Sequence, residues 1–407
     1  MGIADLAGVL AVLRTQINRY NKHVQPPARL PKRSEGTLQA KMHRIPYVNF
    51  SAQYEEEKDF ILACVELVFR IGRFVEGPKI IELEQALAAY AGVNEAVALG
   101  SGTDALIFAL QVLGIGPGDE VLTAPNSFIA SAAAIVLVGA RPVFVDVADD
   151  MNIDVNLIER AITPRTKAIM PVHLTGRVAD MDAICEIAER HGLAIVEDAA
   201  QSFGARYRDK LAGTWGAIGC CSTHPLKNMN AAGDAGFVLT NDADMAARMR
   251  RLRSHGLINR DVSLEWGRNA RMDVLQATLL LERLKRVDDI NKRRRRNADL
   301  YRRLITSPKV VMPQCRQHEY NIFHTFVVQV DRRDELKQFL HQNGIDSVIH
   351  YPIPIHLQEA AKALGHKRGD FPVTERQADS ILSLPVHPYL SESEIEQVAA
   401  MIDQFYR

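Results

Sequence analysis

The chain has 407 residues, of which 47% are hydrophobic and 24% are charged, as is typical of globular proteins large enough to bury an extensive core. Its net charge is zero, which argues against nucleic acid or an anionic membrane as a partner, and no apolar run is long enough to span a bilayer. The five cysteines show neither disulfide nor metal-ligand spacing, so we predict reduced thiols, a cytoplasmic location and no metal site.

Residues 1–44 are predicted to form an extension ahead of the main fold. The first 20 residues have the pattern of an amphipathic helix, not of a signal peptide, because Asp5 precedes the apolar stretch and Arg14 ends it without a cleavage pattern. The proline-rich segment Gln25–Pro31 ends this helix and leads into a basic linker. A docking arm at a subunit contact and a frayed tail both fit this pattern.

From residue 45 onward, short β-rich runs alternate with longer helical runs. The predicted strands are Ala96–Leu99, Glu120–Thr123, Arg141–Val147, Ala168–His173, Leu193–Asp198 and, further along, Phe237–Leu239. Helices are predicted between them at Thr103–Leu113, Phe128 to about Val138, and Asp180–Arg190. Apolar strands separated by helices are typical of a mostly parallel sheet covered on both faces.

The remainder of the chain has a different pattern. Helices are predicted at Asp244–Arg253 and from Met272 to about Leu304, and the second carries four consecutive arginines at positions 293–296. We interpret this basic run as a solvated face or a subunit contact in preference to a nucleic-acid site. From Asn321 the pattern predicts a smaller domain, with strands and helices at Thr325–Val330, Arg333–Asn343, Asp346–His350 and Glu392–Phe405.

Polar residues that follow the predicted strands are the candidates for a site, because ligands of open α/β sheets bind beyond the carboxyl ends of the strands. These candidates are Ser101–Asp104, Asn126–Phe128, His173, Asp198 with Gln201, and Ser222 with Lys227. Lys227 lies between small and polar residues, a setting that suits a lysine forming a Schiff base with an aldehyde cofactor. Taken alone, a lysine in such a setting is usually an ordinary exposed cation.

Other segments point to the same kind of ligand. Gly100–Leu106 follows a strand and opens a helix, which suits a phosphate, although a plain helix cap explains it equally well. It lacks the third glycine of a dinucleotide fingerprint, which argues against an oxidoreductase. Asp198 either caps the next helix or pairs with a protonated pyridine nitrogen, and Phe128 is either a core residue or stacks on a flat ring. Together these features describe pyridoxal 5′-phosphate.

From about Ile45 to the C-terminus the chain resembles the DegT/DnrJ/EryC1/StrS family of sugar aminotransferases, which share the fold-type I architecture of aspartate aminotransferase. The motifs that carry this resemblance are, in order, Gly72–Phe74 with Gly77–Pro78, Ser101–Leu106, Pro125–Phe128, Pro171–Gly176, Glu197–Gln201, His224–Asn228, Gly267–Met272, His350–Pro352 with His356–Gln358, and Leu382–Pro385. The resemblance implies a large domain over residues 45–285, with a mostly parallel seven-stranded sheet that binds the cofactor. Residues 286–407 would form a smaller α+β domain.

The resemblance also implies roles for individual residues. Lys227 would hold the cofactor through a Schiff base and later move a proton, and Asp198 would pair with the pyridine nitrogen. Gln201 would lie near the phenolic oxygen of the ring, and Phe128 would stack on the ring. The phosphate would be bound by three residues of the same subunit, Gly102, Thr103 and Ser222. Asn269 would reach the phosphate from the neighbouring subunit, which implies a homodimer with shared sites.

The implied reaction moves an amino group from glutamate or glutamine to a keto sugar, either nucleotide-linked or phosphorylated. The predicted sugar-pocket residues are His224, His350, Tyr351 and His356. Many family members have an aromatic residue in place of His224 and glycine in place of Asn230. This variant, together with the N-terminal extension, resembles a branch that acts on 3-oxo-glucose 6-phosphate.

Two alternatives share the same fold. The first is a dehydratase that uses pyridoxamine phosphate and has histidine at the lysine position, so the presence of Lys227 favours amino transfer. The second is a regulatory homologue without turnover. Such a homologue would be expected to lack a cofactor-binding residue, and the sequence retains them all.

Overall fold

The computed structural model describes residues 44–407, which form one compact unit. The predicted N-terminal helix and linker lie outside the described residues. Within residues 44–407, no helix is both long enough and apolar enough to cross a membrane.

The strands are β1 (Glu95–Leu99), β2 (Glu120–Thr123), β3 (Arg141–Phe144), β4 (Thr166–Met170), β5 (Ala194–Asp198), β6 (Arg206–Tyr207), β7 (Lys210–Leu211), β8 (Ile218–Ser222), β9 (Gly236–Thr240), β10 (Val310–Val311), β11 (Glu319–Tyr320), β12 (Phe326–Val330) and β13 (Ile381–Leu384). The helices are α1 (Phe50–Ile71), α2 (Pro78–Ala91), α3 (Gly102–Val112), α4 (Ala130–Leu137), α5 (Val155–Ala161), α6 (Met181–His191), α7 (Ala243–Leu252), α8 (Val274–Leu284), α9 (Val287–Leu304), α10 (Arg333–Gln342), α11 (Pro372–Ser380) and α12 (Glu392–Phe405).

The central sheet has seven strands in the order β1-β9-β8-β5-β4-β2-β3. The pairs from β8 through β3 are parallel, and β9 runs antiparallel to both of its neighbours. This arrangement confirms the predicted α/β fold with a mostly parallel seven-stranded sheet. Because β1, β2, β5 and β8 run in the same direction, the loops that follow them meet at one edge of the sheet.

Helices cover both faces of this sheet, as strand alternation shows. Ala98 and Phe237 point into a core shared with α2 and α8. Val97 and Val238, one residue away in each strand, point into a second core shared with α3, α4 and α7. Successive side chains of a strand point to opposite faces, so a strand that is apolar throughout must be buried on both.

The C-terminal segment forms a three-stranded antiparallel sheet in the order β10-β12-β13, packed on α9, α10 and α12. Its core includes Tyr301, Phe326, Leu382 and Ile395. This content agrees with a smaller α+β unit, and the boundary at residues 285 and 286 stays a prediction.

Two predicted elements of this segment are wrong. The long helix from Met272 to Leu304 is two helices, α8 and α9, because the chain turns at Lys285 and Arg286. The stretch Asp346–His350 forms a single bridge, from Val348 to Ser383, in place of a strand. The place beside β12 is occupied by β13, which pairs along four of its residues.

Candidate active site

A cavity of about 310 Å³ lies beyond the carboxyl ends of the parallel strands. It brings together most of the residues that the sequence nominated as a site. Those that line it are Gly102, Thr103, Phe128, Asp198, Gln201, Ser222, His224, Lys227, His350 and Tyr351.

Two nominated residues lie elsewhere. Asn269 is exposed and does not line this cavity, although the neighbouring Ala270 accepts a backbone hydrogen bond from Gly100. His356 is buried, and its Nε2 lies 3.0 Å from Oε1 of Glu375. His356 therefore does not line this cavity, because the contact with Glu375 holds its ring inside the protein, and its place in the sugar pocket stays a prediction.

His173 also follows a strand but is enclosed by protein. Its Nε2 lies 2.9 Å from Oε2 of Glu197, and its Nδ1 accepts a hydrogen bond from the amide of Ala179. Glu197 in turn accepts from three backbone amides between residues 213 and 216. The two residues form a buried polar contact that ties loops to the sheet and has no access to the cavity.

The N-terminus of α3 forms one wall of the cavity. Ser101 caps the helix by accepting a hydrogen bond from the amide of Asp104, and Arg268 donates twice to the Asp104 carboxylate, at 2.7 and 3.0 Å. A Cβ atom at Gly102 would lie 2.7 Å from Cβ of Ser222, so only glycine allows this close approach. The first amides of a helix have no partner within the helix, and with the Ser222 hydroxyl they suit a phosphate.

Asp198 is a buried carboxylate at the end of β5. Its Oδ2 accepts a hydrogen bond from Ser131 Oγ at 2.7 Å, and its Oδ1 accepts from the amide of Ala200 at 3.2 Å. Among residues 44–407 no lysine or arginine lies within ion-pair distance of it. A buried carboxylate without a cation is costly, so this position suits a ligand that carries a positive charge.

Lys227 lies in a tight turn between β8 and β9, in which its amide donates to the carbonyl of His224 at 2.8 Å. Burial lowers the pKa of its amine to about 8, and nearby Asp198 opposes this shift. Asn230 holds the turn from behind by donating to the carbonyl of Pro225 and accepting from Gln53. Asn230 thus supports the loop, whereas His224 lines the cavity itself.

The remaining walls supply flat and polar groups. Phe128 is 55% exposed, with its ring centroid 5.7 Å from that of Tyr351. Gln201 accepts a hydrogen bond from the amide of Thr175 and donates to the Tyr351 hydroxyl at 3.3 Å. Burial, reinforced by Asp198, raises the pKa of Tyr351 to about 12, and burial beside Lys227 lowers the pKa of His350 to about 4. Both side chains are therefore neutral at pH 7.

Residues 55–403 match the DegT/DnrJ/EryC1/StrS aminotransferase family. The chain belongs to this family. A dTDP-3-amino-3,4,6-trideoxy-alpha-D-glucose transaminase from Streptomyces venezuelae is 41% identical over 361 residues, which cover 88% of this chain and 95% of the relative. A pleiotropic regulatory protein from Geobacillus stearothermophilus is 41% identical over 367 residues, covering 89% of this chain and 99% of the relative.

Solved structures of similar proteins share the fold. That of S. venezuelae DesV in complex with a ketimine intermediate is 40% identical, with a TM-score of 0.87 over 89% of this chain and 98% of that one. The structure of NtdA from Bacillus subtilis with bound cofactor PMP is 29% identical, with a TM-score of 0.83 over 95% of this chain and 91% of that one.

The cavity of this family member fits pyridoxal 5′-phosphate by its own geometry. The close approach of Gly102 to Ser222 leaves a helix terminus open to a phosphate, and the carboxylate of Asp198 lacks a cation. Lys227 has a lowered pKa, and the ring of Phe128 is exposed at the cavity edge. Each of these four features suits a different part of the cofactor.

Sequence reasoning missed several residues of this cavity, including Ser131, His324 and Arg294. Ser131 holds Asp198, and its signal was a hydroxyl in an otherwise apolar helix. Arg294 belongs to the run of arginines that we interpreted as a solvated face. At this position that interpretation is wrong, because the side chain is buried. Its signal was its spacing from the buried residues Ala298 and Tyr301 of the same helix.

Proposed function

We propose that this protein is an aminotransferase that uses pyridoxal 5′-phosphate to move an amino group from an amino acid to a keto sugar. One observation carries this proposal. The amine of Lys227 and the carboxylate of Asp198 line the same cavity beside an open helix terminus, and neither has an ion-pair partner in the described residues. Family membership supports the same activity.

Each side chain of the cavity takes a defined part of the cofactor. When bound, pyridoxal 5′-phosphate supplies an aldehyde that bonds to amines and a ring that takes up negative charge from the adjacent carbon. Lys227 would hold the aldehyde covalently, and Asp198 would keep the ring nitrogen protonated. The amides of Gly102 and Thr103, with Ser222, would bind the phosphate. The ring face would contact Phe128, and Gln201 would lie near the phenolic oxygen.

Lys227 Nζ is also the group that moves protons in both half-reactions. An amine with a pKa of about 8 is populated in both its neutral and its protonated form near pH 7, so it can accept a proton and return it. An amine at the ordinary lysine value would be almost fully protonated and would act poorly as a base. The presence of Lys227 also argues against the dehydratase alternative.

The amino donor is proposed to be glutamate or glutamine, and the acceptor a keto sugar bound near His224, His350 and Tyr351. The similar S. venezuelae relative, named as a transaminase of a dTDP-linked sugar, supports a nucleotide-linked acceptor. The branch that acts on 3-oxo-glucose 6-phosphate stays a prediction from His224 and Asn230.

The acceptor is tested by loading the protein with pyridoxamine phosphate and adding keto sugars. We expect nucleotide-linked keto sugars to restore the absorbance of the aldehyde form, whereas keto hexose 6-phosphates serve as the comparison. Restoration only by the hexose phosphates would place the protein in the sugar-phosphate branch. If no keto sugar restores the absorbance while glutamate bleaches it, the acceptor class is wrong.

A regulatory role is the second candidate, because one relative at 41% identity is named a pleiotropic regulatory protein. Regulation without turnover would require neither a lowered pKa at Lys227 nor an uncompensated Asp198. Steady-state turnover with any keto sugar would exclude a purely regulatory role.

We further propose a homodimer in which Asn269 reaches the site of the partner. Asn269 lies outside the cavity of its own chain, and nearby Trp266 is 99% exposed, as expected of an unpartnered contact surface. Mixing inactive Lys227→Ala and Asn269→Ala proteins should restore about a quarter of wild-type activity, because half of randomly formed dimers are mixed and each holds one intact site. No recovery after subunit exchange would refute shared sites.

All five cysteines lie in the described part of the chain, and all are free thiols. This supports the proposed cytoplasmic location, since reducing compartments keep thiols unpaired.

A further inference from the structure

Arg294 is a buried cation on the wall of the catalytic cavity. It belongs to α9, and 7% of its surface is exposed. It lines both the cavity that contains Lys227 and the narrower cleft behind the Lys227 turn. The sequence pattern placed it on a solvated face or at a subunit contact, and neither cofactor binding nor proton transfer by Lys227 uses it.

The hydrogen bonds of Arg294 leave much of its guanidinium without a partner. Its Nη1 donates to the carbonyls of Phe323 and His324, at 3.4 and 3.1 Å, and its buried Nε has no acceptor among the described residues. Within residues 44–407 no carboxylate lies at ion-pair distance from this side chain. Two carbonyl oxygens satisfy part of the donor set but do not neutralise the charge.

The groups around Arg294 are neutral. Burial, together with the charges of Lys227 and Arg294, lowers the pKa of His324 well below its usual value. Burial and the charge of Arg294 lower the pKa of His387 to about 4. Tyr47 and Thr325 complete this wall, and the buried Thr325 hydroxyl also lacks a partner among the described residues. The wall therefore contains a cation and several donors but no anion.

Arg283, on the preceding helix, shows how this fold treats a buried arginine that has a structural role. Its Nε and Nη2 donate to the Glu57 carboxylate at 3.0 and 2.7 Å, and its Nη1 donates to the carbonyl of Asn230. A buried charge without such a partner destabilises the fold, so an unpaired one indicates a missing anionic ligand.

We infer that Arg294 binds the α-carboxylate of the amino-acid donor, an inference that rests on the proposed function. The cavity offers a separate place to the cofactor phosphate, at Gly102, Thr103 and Ser222. Every α-amino acid has its carboxylate one bond from the carbon that loses the amino group. A cation in the same cavity as Lys227 is therefore placed to hold that carboxylate, and a guanidinium binds carboxylates through two parallel hydrogen bonds.

The anionic phosphates of a nucleotide-linked or phosphorylated sugar are the second source of negative charge. Separate measurement of the two half-reactions distinguishes these sources. The donor half-reaction is followed as bleaching of the loaded protein by amino acids. The acceptor half-reaction is followed as the return of absorbance after pyridoxamine phosphate loading and addition of a keto sugar.

The variants are Arg294→Gln and Arg294→Lys, with Arg295→Gln as the matched control. Arg295 follows Arg294 on the same helix, also donates to a backbone carbonyl, that of Asn321, and does not line the cavity. It therefore reports the effect of removing an arginine–carbonyl bond from α9 without touching the site. Thermal unfolding of all variants identifies any that fail to fold.

The donors are L-glutamate, its α-amide and L-glutamine. L-Glutamate has both carboxylates, the α-amide lacks the α-carboxylate, and L-glutamine lacks the side-chain carboxylate. In the wild-type protein we expect the α-amide to react at least about tenfold less efficiently than glutamate, because a charge-assisted hydrogen-bonded pair is lost. Arg294→Gln should lower the efficiency with glutamate by about the same factor and abolish the discrimination. Arg294→Lys should recover part of the efficiency with glutamate and part of the discrimination, and Arg295→Gln should match wild type in both.

A binding measurement that needs no turnover separates this inference from the proposed function. Calorimetric titration of the loaded protein with glutarate, an unreactive dicarboxylate, should give about tenfold weaker binding for Arg294→Gln than for wild type and Arg295→Gln. Failure of every amino acid to bleach the wild-type protein would remove the proposed function, whereas equal glutarate affinity in all proteins would remove only the role of Arg294. A loss confined to the acceptor half-reaction would assign Arg294 to the sugar phosphate and overturn the proposal. Equal losses in both half-reactions, with discrimination between glutamate and its α-amide retained, would show a structural tie and overturn it as well.

Discussion

The turn that carries Lys227 borders two clefts whose buried charges are arranged differently. In the cleft behind it, Glu57 receives hydrogen bonds from Arg283 and Arg286, so these three charges are paired at contact distance, and Arg294 lies on the wall that this cleft shares with the catalytic cavity. In the catalytic cavity, Lys227, Asp198 and Arg294 have no such pairs within the described residues. Paired charges hold the fold together. A buried charge without a partner costs desolvation free energy, and it is available to bind a ligand of opposite charge.

This comparison predicts that the largest loss of activity follows removal of Lys227. The Lys227→Ala variant should lose at least about a thousandfold in turnover, because it lacks both the covalent anchor and the proton carrier. Its melting temperature should stay close to wild type, because the amine forms no ion pair in the described residues. Stopped-flow turnover and thermal unfolding measure the two quantities, and undiminished turnover would contradict the role of Lys227.

The cleft behind the Lys227 turn, where Glu57 is paired with Arg283, should behave in the opposite way. Glu57→Gln leaves Arg283 buried without its counter-charge and should lower the free energy of unfolding by about 3 to 5 kcal/mol. Turnover per folded molecule should change little. The control is Glu282→Gln, which removes an exposed pair with Lys285 and should cost less than about 1 kcal/mol. Chemical denaturation of both variants checks this, and equal stability of the two would remove the distinction between the clefts.

Asp198→Asn should separate activity from stability within the cavity. Turnover should fall by about tenfold to a hundredfold, because the ring nitrogen loses its charged partner. The cofactor-free protein should be no less stable than wild type, since the substitution removes a buried carboxylate that has no cation partner in the described residues. A cofactor-free variant that unfolds much more easily would show that Asp198 is structural.

The smallest predicted effect is a shift in pH dependence. Burial disfavours the charged amine of Lys227, so its pKa falls to about 8, and below that pH the protonated amine cannot attack an aldehyde. The rate at which cofactor-free protein captures pyridoxal 5′-phosphate should therefore rise with pH and level off above about pH 8. A rate that keeps rising toward the ordinary lysine value near 10.4 would contradict a desolvated amine.

The sequence allowed prediction of the elements whose local pattern and tertiary role agree. The apolar strand β5 ends in Asp198, and the turn after β8 contains Lys227, so both residues could be assigned from their position after a strand. The break between α8 and α9 was missed because Lys285 and Arg286 are good helix formers and only tertiary packing turns the chain there. The strand predicted at Asp346–His350 was wrong because another segment occupies its place.

The roles of Arg294, Ser131 and His324 in the cavity could not be predicted for a related reason. Within a run of four arginines, Arg294 differs from its neighbours only in the direction its side chain takes on α9. Ser131 and His324 acquire their roles from contacts with residues distant in sequence, Asp198 and Asn228 respectively. Periodicity identifies which side of a helix is buried but not whether a buried charge is paired.

The central claim, that Lys227 at the edge of the sheet anchors the cofactor, is tested most directly by chemical trapping. Protein loaded with pyridoxal 5′-phosphate is reduced with borohydride, digested and mapped by mass spectrometry. We predict one modified peptide that contains Lys227 and the disappearance of this modification in Lys227→Ala. Modification of a different lysine in active protein, or an unmodified Lys227 peptide, would contradict the account.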